Sequence, residues 1–206
     1  MAAGTDILLN ETLRTIRNRH STRLFADRAV PENFIKTILG AANDAPSAHN
    51  QQSWKFVILS GARKRGLADL ITGESAKFPR PASALLRMSA RSIVEAPVVI
   101  AVANTGDLIR HGTELFRVEK EMGYDFFRTM EIQSSAAAVQ NLLLAATSLG
   151  LGAVWLGILY LLKDDVLQFL DEPKGEFMAV VPVGYPLKPP SGPKKKALET
   201  TVKYLE

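Results

Sequence analysis

The chain has 206 residues, of which 47% are hydrophobic and 22% are charged, a balance typical of a globular protein rather than a fibre or a disordered chain. Its 25 basic and 21 acidic residues give a formal net charge of +4. That excess is too small to indicate nucleic-acid binding alone and suits a small anion equally well. Cysteine is absent, which excludes disulfides, thiolate catalysis and cysteine-ligated metal centres. The three histidines lack metal-ligand spacing, so we predict no metal site.

The expected organisation is one domain over residues 1–206, given about 100–200 residues per domain. No apolar run reaches the roughly 18 residues needed to cross a bilayer. The first residues also lack the basic and apolar regions of a signal peptide. We therefore expect a cytoplasmic protein that does not use a membrane.

Helical and strand patterns alternate through the first half of the chain. The predicted elements are helices over 7–20, 31–42 and 62–71, a loop over 43–53 and a strand over 54–59. Residues 72–92 are rich in Pro, Ser and Arg. We interpret them as a surface excursion or a cover over an active site.

The second half contains the strongest signals. Continuous apolar runs predict buried strands over 96–103 and 177–183, and a further strand pattern covers 152–158. The other predicted elements are helices over 107–130, 131–149 and 163–170, with Gly150 as the C-terminal cap of the second. Four prolines in the last 20 residues predict an extended arm that lies on another surface. The fold class is therefore α+β or α/β, with helices covering a sheet.

A basic pentapeptide, residues 19–23 (RHSTR), follows the first predicted helix. In an extended segment, residues 19, 21 and 23 point the same way, because side chains alternate with a period of two. Two guanidinium groups and the Ser21 hydroxyl would then converge, and these donors suit a phosphate. A solvated basic turn is the alternative interpretation of the same residues.

An amide-rich loop, residues 45–54 (APSAHNQQSW), leads into the first predicted strand. Asparagine and glutamine both donate and accept hydrogen bonds, so such a loop can recognise the imide-like edge of a heterocycle. The alternative is a turn whose amides bond to their own backbone, and on these residues alone it is favoured.

A glycine-rich segment, residues 150–157 (GLGAVWLG), follows the longest predicted helix. Glycine lets a planar ligand approach the backbone, whose N–H groups could donate to a ring nitrogen or an oxyanion. A helix cap followed by a tightly packed strand explains the same glycines. The order helix, glycines, strand is the reverse of the dinucleotide-binding fingerprint.

Three adjacent lysines, Lys194, Lys195 and Lys196, follow Pro193 on the predicted arm. A charge run of this kind is usually a solvated surface. As partners of Arg19 and Arg23, however, the lysines would complete a positively charged cage around a phosphate.

In order and spacing, these segments resemble the nitroreductase family of flavin enzymes. The family pattern is R-x-S-x-R/K, V-P, A-P-S-x-x-N-x-Q-P-W, G-L-G-x-x-W-x-G and G-Y-P before a basic arm. The matching residues are Arg19/Ser21/Arg23, Val30-Pro31, Ala45-Pro46-Ser47/Asn50/Gln52/Trp54, Gly150-Leu151-Gly152/Trp155/Gly157 and Gly184-Tyr185-Pro186. Each motif is weak alone, but five in the right order cover nearly the whole chain.

The resemblance implies an α+β, three-layer fold with a central, mainly antiparallel sheet, assembled as an intertwined homodimer. It implies FMN bound noncovalently at the subunit interface, with the C-terminal arm (186–206) wrapped around the partner. The cofactor-binding residues it implies are Arg19, His20, Ser21, Arg23, Pro46, Ser47, Asn50, Gln52, Trp155, Leu156, Gly157, Lys194, Lys195 and Lys196.

The resemblance also assigns roles at the phosphate end of FMN. Arg19 and Ser21 would hold the phosphate with help from the basic arm, for which Lys195 is favoured by register. Lysine stands where the family often has arginine, so the bidentate fork is lost while the charge remains.

At the ring end, Arg23 would lie near the N1/O2 edge and raise the reduction potential by favouring the anionic reduced flavin. Pro46, Ser47 and Asn50 would come from the other subunit, with Asn50 on the polar edge of the ring. One backbone amide of residues 155–157 would lie near N5. Ser53 stands where the family usually has proline.

The implied activity is electron transfer from NAD(P)H to an electron-poor acceptor such as a nitroaromatic or a quinone, by a ping-pong mechanism. The flavin carries the redox chemistry, so no catalytic side chain is predicted. Two alternatives stay open: reductive dehalogenation or flavin breakdown on the same scaffold, and a non-enzymatic anion-binding module. Nucleic acid is not an expected partner, because aromatic residues are not interleaved with the basic ones.

Substrate specificity is expected to lie in residues 72–92 and 107–130, which would cover the flavin. Four aromatic residues fall within the second range: Phe116, Tyr124, Phe126 and Phe127. They could stack on an aromatic substrate, although an aromatic stripe is more often part of a core.

Overall fold

Helices surround a four-stranded sheet in the computed structural model, which describes residues 9–116, 119–189 and 192–205. The helices within these residues are α1 (Glu11–Asn18), α2 (Glu32–Asn43), α3 (Gly61–Ser75), α4 (Arg80–Glu95), α5 (Asp107–Phe116), α6 (Lys120–Ser148) and α7 (Lys163–Phe169). The strands are β1 (Trp54–Leu59), β2 (Val98–Asn104), β3 (Gly152–Ala153) and β4 (Glu176–Gly184). Single 3-10 turns cover Ala48–Asn50, Gly157–Leu162 and Leu198–Thr200.

The sheet is antiparallel, with strand order β1-β2-β4-β3. Trp54 at the start of β1 pairs with Asn104 at the end of β2. Gly152 in β3 pairs with Gly184 at the end of β4. The amide-rich loop before β1 and the glycine-rich segment around β3 are therefore at opposite edges and opposite ends of the sheet.

Apolar layers cover both faces of the sheet. Val98, Ile100 and Val102 of β2 belong to a core with α2 and α6, whereas Val99, Ala101 and Ala103 belong to a second core with α3, α4 and α7. This alternation follows from the period of two along a strand. It explains the continuous apolar run, because both faces are buried, and it confirms the predicted three-layer α+β fold.

Helix α6 is the longest element. Its 29 residues begin at Lys120 and include all but the last residue of the helix predicted over 131–149. It ends in a glycine cap: Gly150 has φ +73°, its N–H donates to the Thr147 carbonyl, and the Leu151 N–H donates to the Ala146 carbonyl. This is the Schellman arrangement, which confirms the predicted role of Gly150.

The interpretation of residues 72–92 as a surface excursion or cover is wrong. They form the last turn of α3 and most of α4, which buries Leu86 and Ile93 against the sheet. The pattern was obscured because serines share the buried face, among them Ser89 and Ser92. The prolines near residue 80 lie at the start of α4, where proline is tolerated.

The strand predicted over 152–158 is shorter than expected. Only Gly152–Ala153 pairs as a strand, and a 3-10 turn begins at Gly157. Helix α3 is longer than the predicted 62–71, and α1 is shorter than 7–20. The single helix predicted over 107–130 is wrong: α5 covers Asp107–Phe116, and residues 120–130 belong to α6, which continues without a break past residue 131. The remaining predicted helices and strands are confirmed to within a few residues.

The C-terminal arm is exposed over residues 192–205, where it forms neither an α-helix nor a strand, as its prolines predict. A 3-10 turn, Leu198–Thr200, interrupts it. None of the helices in the described ranges combines the length and apolar character that a membrane span requires.

Candidate functional site

The pentapeptide of residues 19–23 lies extended against β3. Ser21 forms a parallel bridge with Ala153, and the Thr22 N–H donates to the Ala153 carbonyl at 3.0 Å. Thr22 packs on Gly152, while Ser21 and Arg23 are exposed on the other side. Residues 21–23 therefore follow the predicted alternation, whereas Arg19, at the C-terminal cap of α1, is half-buried.

The Gly-Tyr-Pro motif holds the segment that follows. The Ala26 N–H donates to the Tyr185 carbonyl at 2.9 Å, and the Leu187 N–H donates to the Leu24 carbonyl at 3.1 Å. The guanidinium carbon of Arg28 lies 3.8 Å from the centre of the Tyr185 ring. The backbone from residue 21 to 26 is thus fixed between β3 and the chain leaving β4.

The C-terminal arm passes beside the pentapeptide. A β-carbon on Gly192 would lie 3.0 Å from Cδ2 of His20, and His20 Nδ1 lies 2.6 Å from the Asn18 carbonyl. Lys194, Lys195 and Lys196 follow on the arm and are exposed. The arm therefore starts at the pentapeptide, and the assignment of a phosphate contact among the three lysines stays a prediction.

A cavity of about 270 Å³ lies where these segments meet. Its lining residues are Asn18, His20, Thr22, Thr147, Gly150, Leu151, Gly152 and Pro186. The structure thus brings together three of the four segments identified in the sequence: the pentapeptide, the glycine-rich segment and the beginning of the arm.

The backbone amides of residues 155–157 are not equivalent. The Leu156 N–H donates to the Val180 carbonyl at 3.0 Å, and the Leu156 side chain is buried in the core. Within the described residues, the N–H groups of Trp155 and Gly157 have no backbone acceptor. If one of the three amides donates to a ligand, Trp155 and Gly157 are therefore the candidates. This reduces the predicted donors from three amides to two.

The amide-rich loop has an unusual backbone. His49, Asn50 and Gln52 all have φ between 52° and 54°, a region that residues other than glycine and asparagine adopt at an energetic cost. The conformation is held by Ser47, whose Oγ accepts from the Gln52 N–H at 3.1 Å. It is also held by Ser134 of α6, whose Oγ accepts from the Ala48 N–H at 3.1 Å. Strain of this kind is concentrated at functional sites.

Within one chain, this loop is far from the pentapeptide. Its adjoining cavity, of about 330 Å³, contacts α6 at Ser134, whereas the pentapeptide cavity contacts α6 at Thr147. A separation of 13 residues along a helix is about 20 Å. Pro46, Ser47, Asn50 and Gln52 are therefore not brought to Arg19, Ser21 and Arg23 by the fold of a single chain.

The four aromatic residues within 107–130, the second segment predicted to cover the flavin, divide into two groups. Phe127 is fully buried and packs against Phe116 and Phe126, with ring centres 5.4 and 5.0 Å away. Phe116, Tyr124 and Phe126 are about half exposed. Phe116 also packs against His49 of the amide-rich loop, with 5.6 Å between the centres of the two rings. Phe127 is thus a core residue, and the other three remain accessible.

Glu131 is a buried group that the sequence reading missed. Its Oε1 accepts from the Leu108 N–H at 2.8 Å, and Leu108 N also lies 3.2 Å from Ser53 Oγ. Burial raises the pKa of Glu131, while the bonds from Leu108 and Ser53 act in the opposite direction. The sequence contains a pattern that could have identified it: Glu131 lies four residues after buried Phe127 and four residues before buried Ser135 on the same helix.

A larger cavity of about 600 Å³ lies at the Asn104 end of the sheet; Tyr124 lines it, but none of the predicted cofactor-binding residues does. Two of its cationic side chains, Arg110 and Arg128, are already paired with Asp107 and Glu176. We therefore place the functional site at the segments that carry the motifs rather than at this larger space.

Comparison with known proteins agrees with these features. The nitroreductase family model matches residues 16–185. A relative from Methanothermobacter thermautotrophicus, assigned by inference as an NADH dehydrogenase/NAD(P)H nitroreductase, is 35% identical over 187 residues, covering 87% of this chain and 80% of its own. A 5,6-dimethylbenzimidazole synthase from Rhodospirillum rubrum is 28% identical over 82% of this chain and 78% of its own.

Among solved structures, a nitroreductase from Desulfovibrio desulfuricans in complex with FMN superposes with a TM-score of 0.69 at 26% identity, covering 97% of this chain and 99% of its own. The fold and the family match thus define the chain as a redox enzyme. The chain belongs to the nitroreductase family and is an oxidoreductase of that family.

Proposed function

We propose that this oxidoreductase uses FMN to transfer electrons from NAD(P)H to an electron-poor acceptor such as a nitroaromatic or a quinone. The observation that carries the proposal is the extended pentapeptide, which pairs with Ala153 of the glycine-rich segment through Ser21 and Thr22 and leaves Ser21 and Arg23 exposed. The FMN complex of the Desulfovibrio relative and the name of the Methanothermobacter relative support it.

The residues fit FMN in charge and in the hydrogen-bond donors that they offer. Arg19, Ser21 and a lysine of the arm would bind the phosphate through charge-assisted hydrogen bonds. Arg23 would lie at the N1/O2 edge of the ring, and an amide of Trp155 or Gly157 would donate towards N5. Bound FMN would supply the redox chemistry, accepting hydride from NAD(P)H and delivering electrons to the acceptor.

We further propose that a second copy of the chain completes the site. The cavity beside the pentapeptide, of about 270 Å³, is smaller than the range of about 300–1,000 Å³ for ligand pockets, and the cavity beside the amide-rich loop, of about 330 Å³, is at its lower end. In a homodimer, Pro46, Ser47, Asn50 and Gln52 of one chain would meet the pentapeptide of the other.

Exposed apolar residues support the dimer. Leu13 and Ile16 on α1, and Leu9 just before it, are each between 38% and 47% exposed, and α1 buries no residue in the chain. On the arm, Tyr204 and Leu205 are more than 80% exposed. We expect one domain over residues 1–206 whose arm (186–206) lies on the partner. Dimerisation would then cover both apolar surfaces.

The purified protein is expected to show flavin absorbance and to release FMN when heated, identified by chromatography of the supernatant. On a sizing column with light scattering, the flavin absorbance should coincide with the mass of two chains. A colourless protein that also fails to take up added FMN would overturn the cofactor assignment. A flavin-bearing monomer would overturn only the proposal that two chains form the site.

Steady-state kinetics are expected to follow a ping-pong pattern, because NAD(P)H and the acceptor would use the same face of the cofactor in turn. Double-reciprocal plots at several acceptor concentrations should give parallel lines, and intersecting lines would contradict the mechanism. The similarity to a 5,6-dimethylbenzimidazole synthase keeps flavin breakdown as a second candidate. Loss of the flavin absorbance during aerobic turnover, without reduction of a nitroaromatic or quinone, would favour that candidate.

A further inference from the structure

A buried hydroxyl connects α4 to the pentapeptide. Ser92 is 2% exposed, and its Oγ lies 3.1 Å from the Arg23 carbonyl and 3.2 Å from the Met88 carbonyl of its own helix. Within the described part of the chain, this is the only side-chain hydrogen bond to the backbone of residues 21–25. Ser92 lies outside every motif on which the family resemblance depends.

The position of Ser92 is itself fixed. It lies in the last turn of α4, where the Ala96 N–H donates to the Ser92 carbonyl at 3.1 Å. The buried ammonium of Lys64, on α3, donates to the carbonyls of Val94 and Ala96 at the end of the same helix. The hydroxyl of Ser92 is therefore presented to Arg23 from an anchored helix end.

The neighbouring peptide groups show what this bond adds. Thr22 is held by the Ala153 carbonyl, and the Leu24 carbonyl is held by the Leu187 N–H. Between them, the Arg23 carbonyl has Ser92 as its partner. Fixing that carbonyl orients the peptide plane after Arg23, and with it the direction in which the exposed Arg23 side chain leaves the backbone.

We propose that Ser92 is a positioning residue for Arg23: by holding the Arg23 carbonyl, it sets the place at which the guanidinium meets the flavin ring. The inference rests on the proposed function, because the effect reaches the chemistry only through bound FMN. Without the hydroxyl, the segment is less ordered before binding, and FMN must order it, which weakens affinity.

The test compares Ser92→Ala with Ser89→Ala. Ser89 is also 2% exposed on α4, but its Oγ bonds only the Leu85 carbonyl of its own helix. After FMN removal and titration, Ser92→Ala is expected to bind FMN more weakly by a factor on the order of five. Its midpoint potential should also be lower, because the cation at N1 is misplaced. Ser89→Ala should match the wild type in both, and Ser92→Thr, which keeps the hydroxyl, should restore both.

Arg23→Ala supplies the decisive comparison. It is expected to lower the midpoint potential more than Ser92→Ala, and adding Ser92→Ala to Arg23→Ala should cause no further change, because the two residues act in series. In FMN-free protein, the Thr22 amide should exchange hydrogen faster in Ser92→Ala than in Ser89→Ala. If Ser92→Ala does not fold, Ser92→Cys, which weakens the donor at similar volume, carries the same comparison.

The outcomes separate the two proposals. If the wild type binds no FMN, the proposed function fails. Two results with FMN-binding wild type would overturn the inference. Either Ser92→Ala has the midpoint potential of the wild type, or it lowers the midpoint potential equally in the wild-type and Arg23→Ala backgrounds. In both cases Ser92 does not position Arg23. A potential lowered in Ser92→Ala alone, restored by threonine and absent from the Arg23→Ala background, supports it.

Discussion

Replacing Gly152 by alanine is expected to weaken FMN binding by about tenfold or more, because β3 has no space for a β-carbon at this position. That atom would lie 2.6 Å from Cβ and 2.7 Å from Cγ2 of Thr22. Thr22 Cβ is attached directly to the backbone and cannot rotate away, so the segment around Ser21 and Thr22 must move off Ala153. Overpacking of this kind costs about 1–3 kcal/mol, and each 1.4 kcal/mol is about tenfold in affinity. Titration of FMN-free protein with FMN, together with thermal unfolding, measures both effects.

Two variants control this experiment. Gly73→Ala introduces a β-carbon that meets no atom within 4 Å on helix α3, so it should keep FMN affinity and stability, or gain slightly from the better helix former. Thr22→Gly in the Gly152→Ala background removes the clash and should recover FMN binding. Unchanged affinity and melting temperature in Gly152→Ala would contradict the packing account. So would a folded double variant that does not recover binding.

The layers of the fold could be predicted because the sheet is buried on both faces. Val98 to Ala103 and Phe177 to Val183 are nearly continuous apolar runs, and the structure places them as the two central strands. A strand with two buried faces shows no polar alternation, so periodicity alone does not separate it from a buried helix. Its short length does. Helix α6 was predictable for the related reason that much of its circumference is apolar.

Helix α4 was missed because small polar residues can occupy a buried helical face. Ser89 and Ser92 are buried beside Leu86 and Ile93, and Ser89 satisfies its hydroxyl on the Leu85 carbonyl of its own helix. A serine satisfied in this way causes little loss of stability in the core, yet it reads as a surface residue in a hydrophobicity pattern.

The motifs identified the segments of the site but not their contacts. Alternation predicted that Ser21 and Arg23 share a side, since this depends only on local backbone geometry. The pairing of Ser21 with Ala153 and the bond from Ala26 to Tyr185 join residues far apart in the sequence, and no local pattern contains them. The same applies to Ser53, which looked like a departure from the family motif and instead bonds the start of α5.

Removing the carboxylate of Glu131 is expected to give the largest loss of stability. Glu131 is fully buried, and its Oε1 accepts the Leu108 N–H at 2.8 Å at the start of α5. Glu131→Ala leaves a cavity and weakens the bonding of that amide, which should lower the free energy of unfolding by about 3 kcal/mol. Glu131→Gln keeps an acceptor of the same shape and should lower it by about 1 kcal/mol or less near neutral pH. Urea unfolding measures both.

The pH dependence separates the charge of Glu131 from its shape. Burial raises the pKa of Glu131 above the ordinary value of 4.5, so above that pH the folded state holds the proton more strongly than the unfolded state. The unfolding free energy of the wild type should therefore fall as pH rises from about 4.5 through the raised pKa. Glu131→Gln removes this pH-dependent loss, so the difference in unfolding free energy by which the variant falls below the wild type should shrink as the pH rises across that window. Glu121→Gln, exposed on the same helix, should change nothing. A difference between wild type and Glu131→Gln that stays constant with pH would mean that Glu131 is already ionised throughout, held by Leu108 and Ser53 against its burial.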